Sequence, residues 1–316
     1  MLSQLHTKLI ILFSYLRHKY FRRFQSRASL LRWQHKKVIK FISKLPVDNY
    51  YRRRLSLNVL FTDWQSWPLI DKNEMMDNFD CLNTVGIKKE EAINVAIAAE
   101  QDRTFLPQVN GMTVGLSSGT SGYRGLFVVS KQERYDWVGC LLAKILKKSI
   151  LKHQKIALFL RANSMLYESL NNSRIEFCFF DMIKPVSNHK NTLNAFNPDI
   201  LIAPPSVLRQ LADLKKSAQL TISPEQIYSA AEVFDPIDKR YIQEIFKKTI
   251  GQIYQATEGF LGISCAHGKL HLNEDLLVIE KHYLDKNKKK FNPIITDFSR
   301  TSQPILRYVL KGVTPI

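Results

Sequence analysis

The chain has 316 residues, 45% hydrophobic and 23% charged, with 12 Gly and 12 Pro; this excludes collagen-like and low-complexity classes and leaves room for one large domain or two modest ones. The formal net charge is +18, but residues 1–54 hold 14 Lys/Arg against one acid, Asp48, a net +13, while the remainder holds 32 basic and 27 acidic residues, a net +5. An excess confined to one end argues against a fold that grips a phosphate backbone throughout, so nucleic acid is not an expected partner.

The first segment, residues 1–28, reads as a basic amphipathic helix. Leu5, Leu9, Leu12, Phe13, Leu16, Tyr20 and Phe24 recur at three- and four-residue steps, one apolar stripe. Lys8, Arg17, Lys19, Arg22 and Arg23 surround it. Such a stripe packs on the domain behind it, or it lies on an anionic membrane surface with its charges at the headgroups. "LIILFSYL" (9–16) is too short to span a bilayer, and Arg17, Lys19, Arg22 and Arg23 follow where a signal peptide would need small cleavage-site residues.

Residues 29–105 read as mostly helical, with Asp71 capping a helix in "PLIDKNEMMDNF" (68–79). From about Met112 short β-rich runs alternate with helices: "MTVGL", a helix around 131–148, "KIALFL", "IEFCFF", "DILIAP", a helix over 206–216, "QIYSA", a helix over 236–248 capped by Asp235, then "GQIYQA". This alternation predicts an α/β fold whose sheet is mixed but mainly parallel and flanked by helices. After Gly262 hairpin-like runs ("ISCAHGKLHL", "DLLVIEKHYL", "NPIITDF", "PILRYVL") predict an antiparallel sheet at the C-terminal end. The four cysteines (Cys81, Cys140, Cys178, Cys265) lie far apart in sequence, so neither a disulfide framework nor a zinc ribbon is expected, and a reducing cytoplasm fits.

Chemistry concentrates in "LSSGTSGYRG" (116–125), between "MTVGL" and "LFVVS". Free backbone N–H groups there, with hydroxyls at Ser117, Ser118, Thr120 and Ser121, make a concavity for anionic oxygens. The Walker pattern is absent, and alone the stretch reads as a surface turn. Two further stretches follow in order, "YSAAEVF" (228–234) and "YQATEG" (254–259).

This series resembles the adenylate-forming superfamily of acyl-CoA synthetases and peptide adenylation domains, whose motifs read SSGT-T/S-G…G, G-G/A-E and Y-G-x-T-E. "HLNEDLLVIE" (271–280) and "ITDFSRTSQPILRY" (295–308) are more similar to the phenylacetate–CoA ligase-like branch. The resemblance runs from about Trp33 to Tyr308 and implies the large N-terminal domain of such an enzyme over 29–316. It implies that Ser117, Ser118, Gly119, Thr120, Ser121 and Gly122 hold ATP phosphates, with Arg124 where the family usually has Lys. Ala230, Ala231 and Glu232 line the adenine pocket, Tyr254 lies against adenine or the acyl group, Thr257 touches the α-phosphate, and Glu258 ligates Mg²⁺. The implied activity joins an organic carboxylic acid to AMP and passes the acyl group to CoA or an acyl carrier protein.

The pattern breaks after Tyr308. Val309 stands where the family has Arg, and Gly312 where its ribose-binding Asp stands; Asp297 either replaces that acid or caps a turn. The family's small C-terminal lid domain, with its catalytic lysine, has no counterpart in the sequence. The expectation is a truncated chain, against a lid supplied by a separate polypeptide or a non-catalytic remnant that binds nucleotide or a membrane surface. Cys265, His267 and His271 could approach a metal, although such a hairpin is more often merely polar. The "KNKKK" tip (286–290) reads as a solvated loop, Cys140 and Cys178 as inert core thiols, and no Ser sits in a nucleophile-elbow setting.

Overall fold

A computed structural model describes residues 2–55, 60–102, 107–117, 124–160, 174–288, 290–310 and 314–315. The chain forms two compact units: residues 1–140, 257–260 and 273–316 make the first, residues 141–256 and 261–272 the second.

The first unit opens with helices α1 (Leu2–Leu16), α2 (Arg27–Ile42), α3 (Tyr50–Arg53), α4 (Lys72–Asp77), α5 (Phe79–Leu82) and α6 (Lys89–Gln101), the helical stretch expected from sequence. Asp71 caps α4 as expected, accepting from the N–H groups of Asn73 (3.0 Å) and Glu74 (3.1 Å). Strands β1 (Gln108–Val109), β2 (Met112–Leu116) and β3 (Leu126–Val129) form a small antiparallel sheet, and α7 (Lys131–Ile145) begins directly after it.

The N-terminal segment departs from the expectation. It is not one helix: α1 passes into a π-turn over Arg17–Phe21, and the chain breaks before Ser26 caps α2. Nor does the stripe pack inward. Leu9 (55%), Leu12 (39%), Phe13 (67%), Leu16 (36%) and Tyr20 (48%) are exposed, while Ile11, Ser14 and Tyr15 on the opposite face are buried. The reason is Gly139 of α7. A Cβ there would lie 2.5 Å from the Ile11 carbonyl oxygen and 2.6 Å from the Ser14 Cβ, so only glycine lets the backbones approach on this face. Ser14 then donates to the Asp136 carbonyl (2.7 Å) and Arg17 pairs with the Asp136 carboxylate (2.8 Å).

The second unit carries β4 (Gln154–Leu160), β5 (Ile175–Asp181), β6 (Ile200–Ala203), β7 (Gln226–Ala230), β8 (Ile250–Ala256), β9 (Gly259–Ser264) and β10 (Leu270–Leu272), in sheet order β10-β9-β8-β7-β6-β4-β5. Every pair from β5 through β8 is parallel. The hairpin "ISCAHGKLHL", assigned from sequence to the C-terminal sheet, instead extends this one as an antiparallel edge. Helices α8 (Lys190–Phe196), α9 (Pro205–Lys216) and α10 (Pro236–Phe246) cover the sheet. Val207, Leu208, Leu211 and Ala212 of α9 are buried with Ala157, Phe159, Phe180, Leu201 and Ile227 of the strands. Asp235 caps α10 at the Ile237 N–H (2.7 Å), as expected.

The first unit closes with the antiparallel strands β11 (Val278–Tyr283), β12 (Lys290–Asp297), β13 (Ile305–Val309) and β14 (Thr314–Pro315), with β14 also paired to β12. Pairing of β12 with β13 shifts between Ile295 and Asp297, and Arg307 sits at φ 49° within that bulge.

Candidate active site

The glycine loop springs from a closed neck. The Ser117 N–H donates to the Gly125 carbonyl and the Gly125 N–H to the Ser117 hydroxyl, both at 2.7 Å. Lys72 Nζ lies 3.4 Å from the same hydroxyl. Of the loop residues expected to hold phosphate, Ser118, Gly119, Thr120, Ser121 and Gly122 lie outside the described residues. Arg124, expected to keep the positive charge of the family's Lys, is engaged: it donates to both Glu100 carboxylate oxygens (2.7 and 2.5 Å) and through Nε to the Ser117 carbonyl (2.9 Å).

Glu258 is 5% exposed and accepts from the Thr257 hydroxyl at 2.8 Å. Tyr308 is buried, and burial together with the adjoining Glu258 carboxylate, with which it shares a hydrogen bond, pushes its phenol far above the usual range. Asp71 adds to that upward push, and the backbone around Tyr308 brackets Ile70: the Ile70 N–H donates to the Arg307 carbonyl (3.2 Å) and the Val309 N–H to the Ile70 carbonyl (2.8 Å). One run of contacts therefore leads from Glu258 through Tyr308 and Ile70–Lys72 to Ser117.

A second link is more direct. Arg300, 8% exposed, donates through Nη1 to the Thr257 carbonyl and through Nη2 to Gln303 Oε1 (2.9 Å) and the Val128 carbonyl (3.4 Å). Gln303 in turn accepts from the Val128 N–H (2.9 Å) and donates to the Leu126 carbonyl (3.1 Å). One buried guanidinium and one buried amide thus tie β3, the strand leaving the glycine loop, to the Thr257–Glu258 segment. The loop carrying them is itself fixed by Glu133, which accepts from the N–H groups of Ser302 (2.9 Å) and Thr301 and from both their hydroxyls. Burial pushes the Glu133 carboxyl up, but these bonds and that from the Ser130 N–H outweigh it and hold the group below its ordinary value.

Sequence reasoning missed Arg300, Gln303, Glu133 and Tyr308 as site residues. Only Glu133 had a local signal: Ser130-x-x-Glu133 is a capping box at the start of α7, closed by the Glu133 N–H bond to the Ser130 hydroxyl (3.2 Å). Asp297 is buried and accepts from the Ser299 N–H (2.8 Å) and hydroxyl (2.6 Å), the arrangement of a turn cap; burial raises its carboxyl.

In the second unit the strand order turns at β4, between β5 on one side and β6 on the other, and crevices beyond the carboxyl ends of such strands are where open α/β sheets take ligands. Ala230 ends β7 at the same end of the sheet, on the far side of β6 from β4; Ala231 follows at φ 68°, and Glu232 reaches across to Ser206, accepting from its N–H (3.2 Å) and hydroxyl (3.0 Å) in the first turn of α9. Tyr254 lies half-buried near the carboxyl end of β8, after which the chain enters the first unit at Thr257. Among the described residues no three His, Cys, Asp or Glu side chains group as metal ligands, Cys265, His267 and His271 included, and no helix is long and apolar enough to cross a membrane.

The chain is similar to crystal structures of 2-hydroxyisobutyryl-CoA ligase: an open conformation with 2-HIB-AMP and CoA (TM-score 0.67, 14% identity), a postadenylation state with R3-HIB-AMP (0.67, 13%) and a thioesterification state with 2-HIB-AMP and CoA (0.66, 15%). The fold is that of the adenylate-forming enzymes. Each likeness covers 93% of this chain and 65–66% of the ligase, so the chain spans just under two-thirds of the length of those proteins. No family profile matches the sequence, and no curated protein matches it. Among the described residues the sequence motifs fall on the neck of a loop and on strand ends: Ser117 and Gly125 close the glycine loop, Ala230 ends β7, and Thr257 follows β8.

Proposed function

We propose that the chain is a member of the adenylate-forming superfamily, of the phenylacetate–CoA ligase-like kind, and that it activates an organic carboxylic acid with ATP. In the first step a carboxylate oxygen bonds to the α-phosphorus, the bond to the bridging oxygen breaks, and pyrophosphate leaves. In the second a thiolate of CoA or of an acyl carrier protein attacks the acyl carbon and AMP departs.

Both reactants of the first step are anions, so the site must offset their repulsion with aimed donors and cations. Residues 117–122 supply N–H and hydroxyl donors for the β- and γ-phosphates, and Lys72 brings positive charge to the loop's neck; Arg124 adds its charge only if it leaves Glu100. Thr257, whose hydroxyl rests on Glu258 without nucleotide, would turn it to the α-phosphate, and Ala230–Glu232 and Tyr254 would be the adenine residues; Asp297, the candidate acid for the ribose, is taken up by its own turn. A lone buried carboxylate suits magnesium, which takes one or two protein carboxylates and completes its shell with phosphate oxygens and water; Glu258 is the residue that would hold it. When bound, the metal shields charge on the departing pyrophosphate.

The observation that carries this reading is the pair of buried bonds from Arg300 and Gln303 that draws the strand after the glycine loop and Thr257 together, in a fold of this type. ATP–pyrophosphate exchange across aliphatic and aromatic acids tests it. Acid-dependent exchange that disappears in Glu258→Gln is expected, and exchange indifferent to Glu258 contradicts it. The engagement of Arg124 by Glu100 favours a second reading, nucleotide binding without turnover, which predicts thermal stabilisation by ATP with no exchange.

A further inference from the structure

Helix α1 has two faces of opposite fate. Ile11, Ser14 and Tyr15 are buried beside Gly139 of α7. The face turned away, Leu9, Leu12, Phe13, Leu16 and Tyr20, is apolar at every position and lies open, and Phe21 beyond it is 78% exposed. A continuous apolar stripe left in water is unfavourable and marks a surface that meets something else. Charge says what. Residues 1–28 hold six Lys/Arg and no acid. Three of them are held by the protein, Arg17 by Asp136, Arg22 by the Asp275 carbonyl (2.7 Å) and Arg27 by the Glu274 carboxylate (2.5 Å). Lys8 and Arg23 stand exposed along α1 and beyond it, and α2 adds Arg32, Lys36 and Lys40, all exposed at four-residue steps with no acid among them.

We infer that residues 2–24 form an interfacial anchor, with α1 lying in the plane of an anionic phospholipid surface. The stripe enters the acyl boundary, Phe13 and Tyr20 settle at the headgroup level, and the exposed cations meet lipid phosphates. A second copy of the chain is a poorer occupant, because joining two α1 faces sets like charges against each other. Nucleic acid is poorer too, because phosphates and bases gain little from Leu9, Leu12 and Leu16. The inference is independent of the catalytic reading. It places the domain at a membrane, where an acid or a product with a lipid tail would be at hand.

Co-sedimentation of the full chain with vesicles tests it. One set is phosphatidylcholine alone, the other phosphatidylcholine with phosphatidylglycerol. Binding is expected to the anionic vesicles, to fall steeply at about 0.5 M salt, and to drop roughly ten-fold in the double variant Leu9→Gln/Phe13→Gln. Both side chains are exposed, so the variant should melt with the wild type. No binding to anionic vesicles overturns the inference, as does undiminished binding by the double variant, which would leave charge alone responsible. It is equally overturned if the double variant dissolves a concentration-dependent dimer, or weakens binding to single-stranded DNA, while lipid binding stays intact.

Discussion

Helices α1 and α9 present the same signal in sequence and meet opposite ends. Both carry apolar residues at three- and four-residue steps with polar residues between. In α9 the stripe is the inner face, and Val207, Leu208, Leu211 and Ala212 disappear into the core of the parallel sheet. In α1 the stripe is the outer face, because a close backbone approach at Gly139 fixes Ile11, Ser14 and Tyr15 inward instead. Periodicity announces that a helix has an apolar side. Which side the protein buries depends on what the neighbouring element offers, and a single glycine decides it here.

Substitutions can break or sharpen this contrast. The largest effect is expected from Leu208→Ala in α9: a fully buried leucine lost from a packed core costs about 3 kcal/mol, read by urea unfolding. Arg300→Met should cost nearly as much, roughly 2–3 kcal/mol, because it strands the Thr257 carbonyl and Gln303 in a buried place; it should also abolish any stabilisation by ATP, whereas Leu208→Ala should leave that increment in place. Gly139→Ala should cost about 1–3 kcal/mol by forcing α1 away from α7, and limited proteolysis should then release the N-terminal segment.

Glu133→Gln is smaller, about 1 kcal/mol near neutral pH. Its sign with pH is fixed: the folded-state value lies below the ordinary 4.5, so the stability Glu133 contributes is present above that pH and is lost as pH falls through the folded value. The gap between wild type and variant should therefore close in acid, and a gap that widened would refute the assignment. Leu9→Ala in α1, the counterpart of Leu208→Ala, should change stability by no more than about 0.5 kcal/mol in the absence of lipid.

Most of the second unit was legible in the sequence. The runs that became β4 to β8, and the helices α9 and α10, have the length and β-branched or amphipathic character that local physics rewards, while the short α8 carried no such signal; Asp71 in the first unit and Asp235 in the second cap where their positions require. The edge hairpin β9–β10 was read as a hairpin but placed in the wrong sheet, because pairing partners across a long separation leave no local trace. The candidate site divides the same way. Thr257 and Glu258 could be singled out as a motif, and Ser117 as part of a loop rich in glycine and hydroxyl groups. Arg300 and Gln303 could not, since their meaning comes from partners 43 and 175 residues away in sequence. Arg124 is visible in the sequence as a cation beside the loop, yet nothing local foretells that Glu100 takes both of its terminal nitrogens.

The central claim is that the glycine loop and the Thr257–Glu258 segment serve one nucleotide. Calorimetric titration of ATP with magnesium into the wild type and into Glu258→Gln tests it most directly. The account predicts saturable binding to the wild type that is strongly weakened in the variant, with both proteins melting alike in the absence of nucleotide. Equal binding by the two proteins, or none by the wild type, would contradict it.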